Sequence, residues 1–144
     1  MKIGIVGHAA EKFTGQSAFA ARQVISGLLL PPLDGSKLVV VSGRSPMGGV
    51  DVWAEKIANK MGIETEIYPP ATNDWNGFKA RNLEIARASD VVHVIVVREF
   101  PPGFRGKRFP WCYHCGTAEH VKSGACWTAN KAILMGKRAE WHLI

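Results

Sequence analysis

The chain has 144 residues and a formal net charge of +6, with 47% hydrophobic and 21% charged residues, which is typical of a soluble globular protein of one domain. It contains no run of 18 apolar residues and no signal-peptide pattern at its start, so we expect a cytoplasmic protein without membrane partners. The excess positive charge favours anionic partners such as nucleotides, phosphates or nucleic acid.

Short apolar runs alternate with helical spacing in the first half of the chain. KIGIVG, residues 2–7, predicts a buried strand that ends in glycine, and a helix is predicted over 14–30, where two prolines stop it. The β-branched run 37–43 predicts a second buried strand, and 49–62 a second helix that ends at glycine. Residues 64–70 predict a third, weaker strand that ends in prolines.

The second half of the chain continues this alternation with one interruption. An amphipathic helix is predicted over 76–90, and the most apolar strand follows at 91–97. Segment 98–122 has no periodicity, is rich in Pro and Gly in its first part, and reads as an irregular insertion. A last helix is predicted over 125–137 and a last strand over 138–144.

Near-continuous apolar strands that alternate with helices are typical of a parallel sheet covered on both faces. We therefore predict an α/β fold with about five parallel strands and helices on both faces. Right-handed crossovers would make it a single Rossmann-like, doubly wound domain over residues 1–144.

Ligands in such folds bind beyond the carboxyl ends of the strands. The loop after the second strand has the clearest chemistry, because its glycines let the backbone approach a ligand while its serine and arginine can bind phosphate. Asp51 after this loop is interpreted either as an acceptor for a ribose hydroxyl or as a helix cap. The candidate ligand-binding residues of the first two loops are Gly7, His8, Ser42, Gly43, Arg44, Gly48, Gly49 and Asp51.

Three segments, SGRSPMGGVDVWAEKIANKMG, ARNLEIARASDVVHVI and SGACWTANKAILMGK, resemble in order and spacing the SLOG superfamily of Rossmann-like nucleotide-binding proteins. That superfamily includes the Lonely Guy phosphoribohydrolases and the nucleotide-binding-like fold of DNA-processing protein A. The resemblance covers most of the chain except 98–122. It implies a nucleotide site, and a homo-oligomer is a further expectation because crevices in this group often lie near dimer interfaces.

The resemblance also implies the position of further ligand-binding residues. Arg81 and Asn82 would lie near the ribose or phosphate of the nucleotide. A second phosphate-binding loop at the start of the last helix would contain Ser123, Gly124 and Thr128.

The chain departs from the Lonely Guy pattern at its second phosphate loop. Those enzymes carry PGGxGTxxE, whose glutamate serves glycosidic cleavage, whereas this chain reads SGACWTANK and has no carboxylate there. Asp51, Glu55 and Asp74 are candidates to replace that acid. We therefore expect a nucleotide-binding protein of the sensor or carrier type; the alternative is a hydrolase or transferase that acts on an N-glycosidic or phosphate-ester bond of a nucleotide.

All three cysteines lie in residues 111–131, in the spacing Cys112-x2-Cys115-x4-His120-x5-Cys126. This spacing is close to that of a zinc knuckle, and a C-x2-C turn delivers two thiolates to one side of a tetrahedral zinc. We predict a structural zinc at these four residues that clamps segment 98–122, with His114 as an alternative ligand. A C-x2-C redox pair and ordinary free thiols are the other interpretations.

Segment 98–122 also contains a basic cluster, so a nucleic-acid-binding accessory protein is the second alternative function. The cluster consists of Arg98, Arg105, Lys107 and Arg108. Of the remaining aromatic residues, Trp75 is a candidate for stacking on a base, whereas His93 is expected to lie in the core.

Overall fold

The computed structural model describes all 144 residues and confirms the predicted α/β architecture. Five strands form one sheet: β1 (Lys2–Gly7), β2 (Val39–Ser42), β3 (Glu64–Ile67), β4 (Val91–Val96) and β5 (Arg138–Leu143). The four helices are α1 (Gly15–Leu28), α2 (Val50–Lys60), α3 (Trp75–Ala88) and α4 (Gly124–Leu134). None of these helices combines the length and the apolarity that a bilayer crossing needs.

All neighbouring strands are parallel, and their order across the sheet is β3-β2-β1-β4-β5. The chain moves outward from β1 to β3 and then returns to the other side of β1 with β4. The direction of winding therefore reverses between β1 and β4, which pair from Ile3 with Val91 to Gly7 with Ile95. A crevice at the carboxyl ends of these two strands is the usual ligand site of a doubly wound sheet.

The core consists of two hydrophobic clusters, one on each face of the sheet. Ile3 and Ile5 of β1 point to the face covered by α1 and α2, whereas Val6 points to the face covered by α3 and α4. All six residues of β4 are buried, in agreement with its unbroken apolar sequence. Burial of one Val or Ile side chain stabilises a fold by roughly 1.5–3 kcal/mol, so the central strands dominate the stability.

The helix boundaries follow from capping side chains. Thr14 precedes α1 and forms a capping box with Ser17, so the helix begins one residue later than predicted. Asp74 precedes α3 and accepts from the backbone nitrogen of Gly77 at 2.8 Å. Strand β3 ends at Ile67, three residues earlier than predicted, because prolines follow it and cannot donate to a neighbouring strand.

Segment 98–122 contains no helix or strand of the sheet. Two backbone hydrogen bonds fasten its end, from Val121 to the carbonyl of Val97 at 3.0 Å and from Lys122 to the carbonyl of Phe109 at 3.1 Å. The segment is thereby held against the carboxyl end of β4, beside the crevice.

Candidate functional site

A cavity of about 410 Å³ lies at the carboxyl ends of β1, β2 and β4, beside the point where the winding reverses. The fold brings to its wall the end of β1, the first turns of α2 and α4, and the middle of α3. The predicted ligand-binding residues that line it are Gly7, His8, Asp51, Arg81, Asn82, Ser123 and Gly124.

Arg81 organises the wall between α2 and α3. Its Nη1 donates to the carbonyl oxygen of Gly43 at 2.6 Å, and its Nε donates to Oδ1 of Asn82 at 2.5 Å. Its Nη2 lies 3.5 Å from Oδ2 of Asp51, and both of these side chains are nearly buried. Gly43 has to lack a side chain, because a Cβ there would lie 2.2 Å from Nη1 of Arg81 and 2.9 Å from Oδ2 of Asp51.

Asp51 is a cavity residue and not a helix cap. The residue that precedes α2 is Gly49, and no side chain caps this helix end. Burial raises the pKa of the Asp51 carboxyl to about 6, although the neighbouring Arg81 opposes the rise. A carboxyl group that titrates close to neutral pH therefore faces the cavity, which is a property of many catalytic acids.

His8 is held as a neutral imidazole at the floor of the cavity. Its Nδ1 accepts from the backbone nitrogen of Val97 at 3.1 Å, so the proton is on Nε2, which donates to the carbonyl of Lys122 at 3.0 Å. Burial lowers the pKa of His8 to about 4. Both nitrogens are used, so His8 fastens β4 to the segment before α4 and has no free nitrogen for a ligand.

The start of α4 faces the cavity. Ser123 precedes the helix, and its Oγ accepts from the backbone nitrogen of Ala125 at 3.2 Å. A Cβ at Gly124 would lie 3.3 Å from the ring of Trp75, so this position leaves little room for a side chain. Amides in the first turn of a helix favour an anion, and Ser123, Gly124 and Ala125 all line the cavity.

Residues 98–111, the roof segment, place aromatic rings over the cavity. Phe100 and Phe104 stack with their centroids 4.9 Å apart, and Phe109 is a third lining ring. The guanidinium of Arg108 lies 5.3 Å from the centroid of Phe100. The roof segment therefore has an aromatic and cationic surface, although it contains no regular secondary structure.

Three lysines bring positive charge to the cavity. Lys12 Nζ lies 4.5 Å from the centroid of Phe104, while Nζ of Lys107 and Nζ of Lys122 lie 4.8 and 5.2 Å from that of Phe109. Burial lowers the pKa of Lys12; the charge of Glu11 opposes this effect, and the charge of Lys122 adds to it. Lys12 and Lys122 were not among the predicted ligand-binding residues; the position of Lys122 next to Ser123 was a usable signal.

Three predicted ligand-binding residues with polar side chains do not line the cavity. Ser42 is buried, and its Oγ donates to the carbonyl of Ile5 at 2.7 Å. Arg44 pairs with Glu55 of α2, with Nε 3.0 Å from Oε2. Thr128 is fully buried in α4, and its Oγ1 has no hydrogen-bond partner.

The glycine pair before α2 also lies outside the cavity lining. Gly49 has a φ of 89°, and a Cβ there would lie 2.3 Å from the carbonyl oxygen of His8. Gly48 has a φ of 70°. These glycines allow the turn to pack against the end of β1. Of the acids considered as replacements for the missing glutamate, only Asp51 faces the cavity; Glu55 pairs with Arg44 and Asp74 caps α3.

The predicted metal ligands come together in one group. One ligand atom from each of Cys112, Cys115, His120 and Cys126 lies within 4.8 Å of the others, so this Cys3His cluster could hold a metal ion such as zinc. The C-x2-C turn is closed by backbone bonds from Cys115 and Gly116 to the carbonyl of Cys112, at 3.2 and 2.8 Å. None of the three cysteines forms a disulfide.

Hydrogen bonds around the Cys3His cluster prepare its ligands for a cation. His120 Nδ1 lies 2.8 Å from the carbonyl of Val121, which can only accept, so Nδ1 carries the proton and Nε2 is free for a metal. Cys126 Sγ accepts from Nε1 of Trp141 at 3.5 Å. Burial raises the pKa of the Cys115 and Cys126 thiols, and a bound cation would reverse that effect.

The Cys3His cluster and the cavity share the segment before α4. His120 is followed directly by Val121 and Lys122, which line the cavity, and Cys126 follows the lining residue Ala125. His114, the alternative ligand, is not one of the four clustered residues, and its carbonyl accepts from Nδ2 of Asn130 at 2.8 Å.

The chain matches no protein-family model, and neither a curated protein nor a solved structure is significantly similar to it. Doubly wound sheets support many unrelated activities, so the fold alone does not assign a function. A function therefore has to be inferred from the chemistry of the cavity and of the Cys3His cluster.

Proposed function

We propose that this protein binds a nucleotide or a related phosphorylated small molecule in the cavity, as a sensor or carrier of the SLOG type. The proposal rests on one observation: three lysines and the first turn of α4 line the same cavity of about 410 Å³. Ligand pockets for small molecules are typically about 300–1,000 Å³ in volume, so a nucleotide is a suitable occupant.

The charge of the cavity supports an anionic ligand. Its cationic side chains are Lys12, Lys107, Lys122 and Arg81, and its carboxylates are Glu11 and Asp51. Arg81 and Asp51 pair with each other, whereas none of the three lysines forms a salt bridge. The cationic side chains outnumber the carboxylates, and only Lys12 has a lining carboxylate, Glu11, close enough to influence its pKa, so the cavity favours an anion.

Aromatic rings supply the surface that a planar base needs. Phe78 and Trp75 line one side of the cavity, and the roof segment contributes Phe100, Phe104 and Phe109. Base–aromatic stacking is worth about 1–3 kcal/mol per base and tolerates different bases. We therefore expect the phosphate to dominate affinity and the rings to favour a nucleotide over inorganic phosphate.

We further propose that the Cys3His cluster binds a structural zinc. Three thiols and one imidazole are the ligand set of many closed zinc sites, which stabilise folds and do not take part in chemistry. A zinc ion there would hold His120 and Cys126 at a fixed separation. The cavity residues between them, Lys122 and Ser123, would then be fixed as well.

Calorimetric titration of the metal-loaded protein with AMP, ADP, ATP and adenosine tests the proposal. We expect the phosphorylated compounds to bind and adenosine to bind at least about tenfold more weakly, since tenfold corresponds to only 1.4 kcal/mol. Equal binding of adenosine and AMP would contradict a phosphate site. A single-stranded oligonucleotide that binds with a steep salt dependence, while mononucleotides do not bind, would instead support the nucleic-acid alternative.

Lys12→Gln and Lys131→Gln form a matched pair for this titration. Both remove a lysine that lies over an aromatic ring, at 4.5 Å for Lys12 over Phe104 and 5.2 Å for Lys131 over Trp127. Only Lys12 lines the cavity. We expect Lys12→Gln to weaken nucleotide binding and Lys131→Gln to leave it unchanged, and equal effects of the two would contradict the assignment of this cavity.

A hydrolase or transferase is the second candidate, and Asp51 is the observation that favours it. Its carboxyl has a pKa of about 6 and faces the cavity, so it could donate or accept a proton during cleavage of a nucleotide. Incubation with nucleoside monophosphates, followed by chromatography for free base or phosphate, tests this candidate. Release that is lost in Asp51→Asn would support it, whereas binding without release leaves the sensor or carrier function.

A further inference from the structure

Two neighbouring strands bring together a second group of side chains that can ligate a metal, on the other face of the sheet from the cysteines. His93 of β4 lies directly opposite Glu140 of β5, and His142 lies opposite Ile95, two residues farther along. His93 alternates with Val91 and Ile95, which belong to the core cluster on the face of α1 and α2. The three side chains therefore point to one face of the sheet near the edge strand β5.

This face is opposite to the one that carries the Cys3His cluster. Cys112 and Cys126 pack in the hydrophobic cluster of α3 and α4, together with Trp141 of β5. Because side chains alternate along a strand, Glu140 and His142 on either side of Trp141 point the other way. The sheet itself separates the two groups, so a metal at one cannot share ligands with the other.

The spacing of the three ligand atoms fits a single ion. His93 Nδ1 lies 3.0 Å from His142 Nε2 and 3.6 Å from Oε2 of Glu140, and all three ligand atoms lie within 4.8 Å of one another. Bonds of about 2.0–2.2 Å to zinc place neighbouring ligand atoms roughly 3–3.6 Å apart. The two nitrogens share one hydrogen bond, so an ion requires a change of tautomer in one imidazole but little movement of the rings.

The group of His93, Glu140 and His142 is accessible to solvent on one side and buried on the other. The His93 side chain is 9% exposed, whereas that of Glu140 is 52% exposed. Glu140 forms no salt bridge with a lysine or arginine, and burial lowers the pKa of His93 and of His142, so no cation compensates the carboxylate. An ion could enter from solvent and keep water in the positions that the protein leaves vacant.

We propose that His93, Glu140 and His142 form a second metal site, which binds a divalent first-row transition ion of the zinc, cobalt or nickel class. Imidazole and carboxylate are borderline and hard ligands, so this site differs from the thiolate-rich cluster in the ions that it prefers. A bound ion would tie the edge strand β5 to the central strand β4. The site is independent of the nucleotide proposal, since none of its residues lines the cavity.

The site is tested by titrating the 144-residue chain with Co²⁺ after it has been loaded with one equivalent of zinc. Equilibrium dialysis counts the ions, and the visible spectrum distinguishes the sites, since thiolate ligands give a charge-transfer band that nitrogen and oxygen ligands lack. We expect one further equivalent of Co²⁺ without that band. No binding beyond the preloaded zinc, or a second ion that always shows thiolate absorption, would overturn the proposal.

Three variants locate the second ion. Two of them, Glu140→Gln and His142→Asn, each remove a ligand, and the third, Glu84→Gln, is the control. Glu84 is a matched control, because its side chain is 51% exposed and lies on α3, outside both groups. Loss of an outer-shell partner alone costs a metal site about 10–100-fold in affinity, so loss of a ligand should cost at least about tenfold. Glu140→Gln removes an exposed carboxylate and should fold normally. Equal Co²⁺ affinity in all three variants would place the ion elsewhere.

Discussion

Asp51 and Arg81 form an ion pair of 3.5 Å although their helices, α2 and α3, lie on opposite faces of the sheet. The pair passes over the carboxyl end of β2 at Gly43, whose carbonyl accepts from the same guanidinium. Both side chains are nearly buried. This contact therefore fixes α2 and α3 relative to each other at the wall of the cavity. It also determines the first two of the following predictions.

Gly43→Ala should disrupt this contact. The new methyl group would lie 2.2 Å from Nη1 of Arg81, so the guanidinium has to move, and overpacking of this kind typically costs about 1–3 kcal/mol. Gly27→Ala is the control, since Gly27 lies in α1 with no atom within 4 Å of an added Cβ. That change should stabilise the protein by about 0.5–1 kcal/mol. Urea unfolding measures both, and equal effects would contradict the packing described.

The contribution of Asp51 to the stability of the protein should fall as the pH rises. Its carboxyl has a pKa of about 6 in the fold against 3.8 as the ordinary value, so between these pH values unfolding releases a proton. The free energy of unfolding of the wild type, relative to Asp51→Asn, should therefore decrease by about 2 kcal/mol from pH 4 to pH 7. Urea unfolding of both proteins at several pH values measures this difference, which has to stay constant if Asp51 titrates normally.

Zinc binding should depend on His120 and not on His114. His120→Asn removes one of the four clustered ligands, whereas His114→Asn changes a histidine outside the group. We expect the affinity for zinc to fall at least about tenfold in His120→Asn and to stay unchanged in His114→Asn. The thiolate-to-cobalt absorption band reports on the cysteine site alone, and the opposite order of the two variants would show that His114 is the ligand.

Removal of zinc should destabilise the whole domain. A ligand present at a thousand times its dissociation constant adds about 4 kcal/mol to the free energy of unfolding. A chelator should therefore lower the melting temperature of the wild type and of His114→Asn but have a much smaller effect on His120→Asn. A melting temperature that the chelator leaves unchanged in the wild type would argue against a structural metal in the Cys3His cluster.

Thr128→Val should be neutral or stabilising, by up to about 1 kcal/mol. The hydroxyl of Thr128 is buried without a hydrogen-bond partner, and replacing such a group by a methyl group removes its desolvation cost. Nucleotide affinity should not change, since Thr128 does not line the cavity. A large loss of affinity would instead support the phosphate-binding role that the SLOG resemblance implies for this residue.

The strands could be predicted from sequence because each is a short apolar run, and the extreme case is β4, in which all six residues are buried. The Cys3His cluster was also predictable, since Cys112 and Cys115 lie in one turn and the other two ligands follow closely. Contacts between segments that are distant in the chain could not be predicted. Arg81 could be named as a ligand-binding residue, but its pairing with Asp51 depends on how α2 and α3 meet over β2.

Local sequence patterns gave wrong predictions where one type of residue can either bind a ligand or stabilise the fold. Ser42 and Arg44 follow a strand in the manner of phosphate-binding residues, yet one donates to the backbone of β1 and the other pairs with Glu55. Lys12 belongs to a polar loop with no motif and becomes a cavity residue only because the roof segment folds onto it. His93 is buried as expected, but its partner on β5 could not be identified before the register of the sheet was known.

The first turn of α4 belongs to two sites at once, since Ser123 and Gly124 line the cavity and Cys126 is a member of the Cys3His cluster. We expect a displacement of this turn by one occupant to change the binding of the other. Thermodynamic reciprocity then requires that zinc and the cavity ligand change each other's affinity by the same factor. With both sites in use, the supply of metal would regulate how readily the protein captures its small molecule.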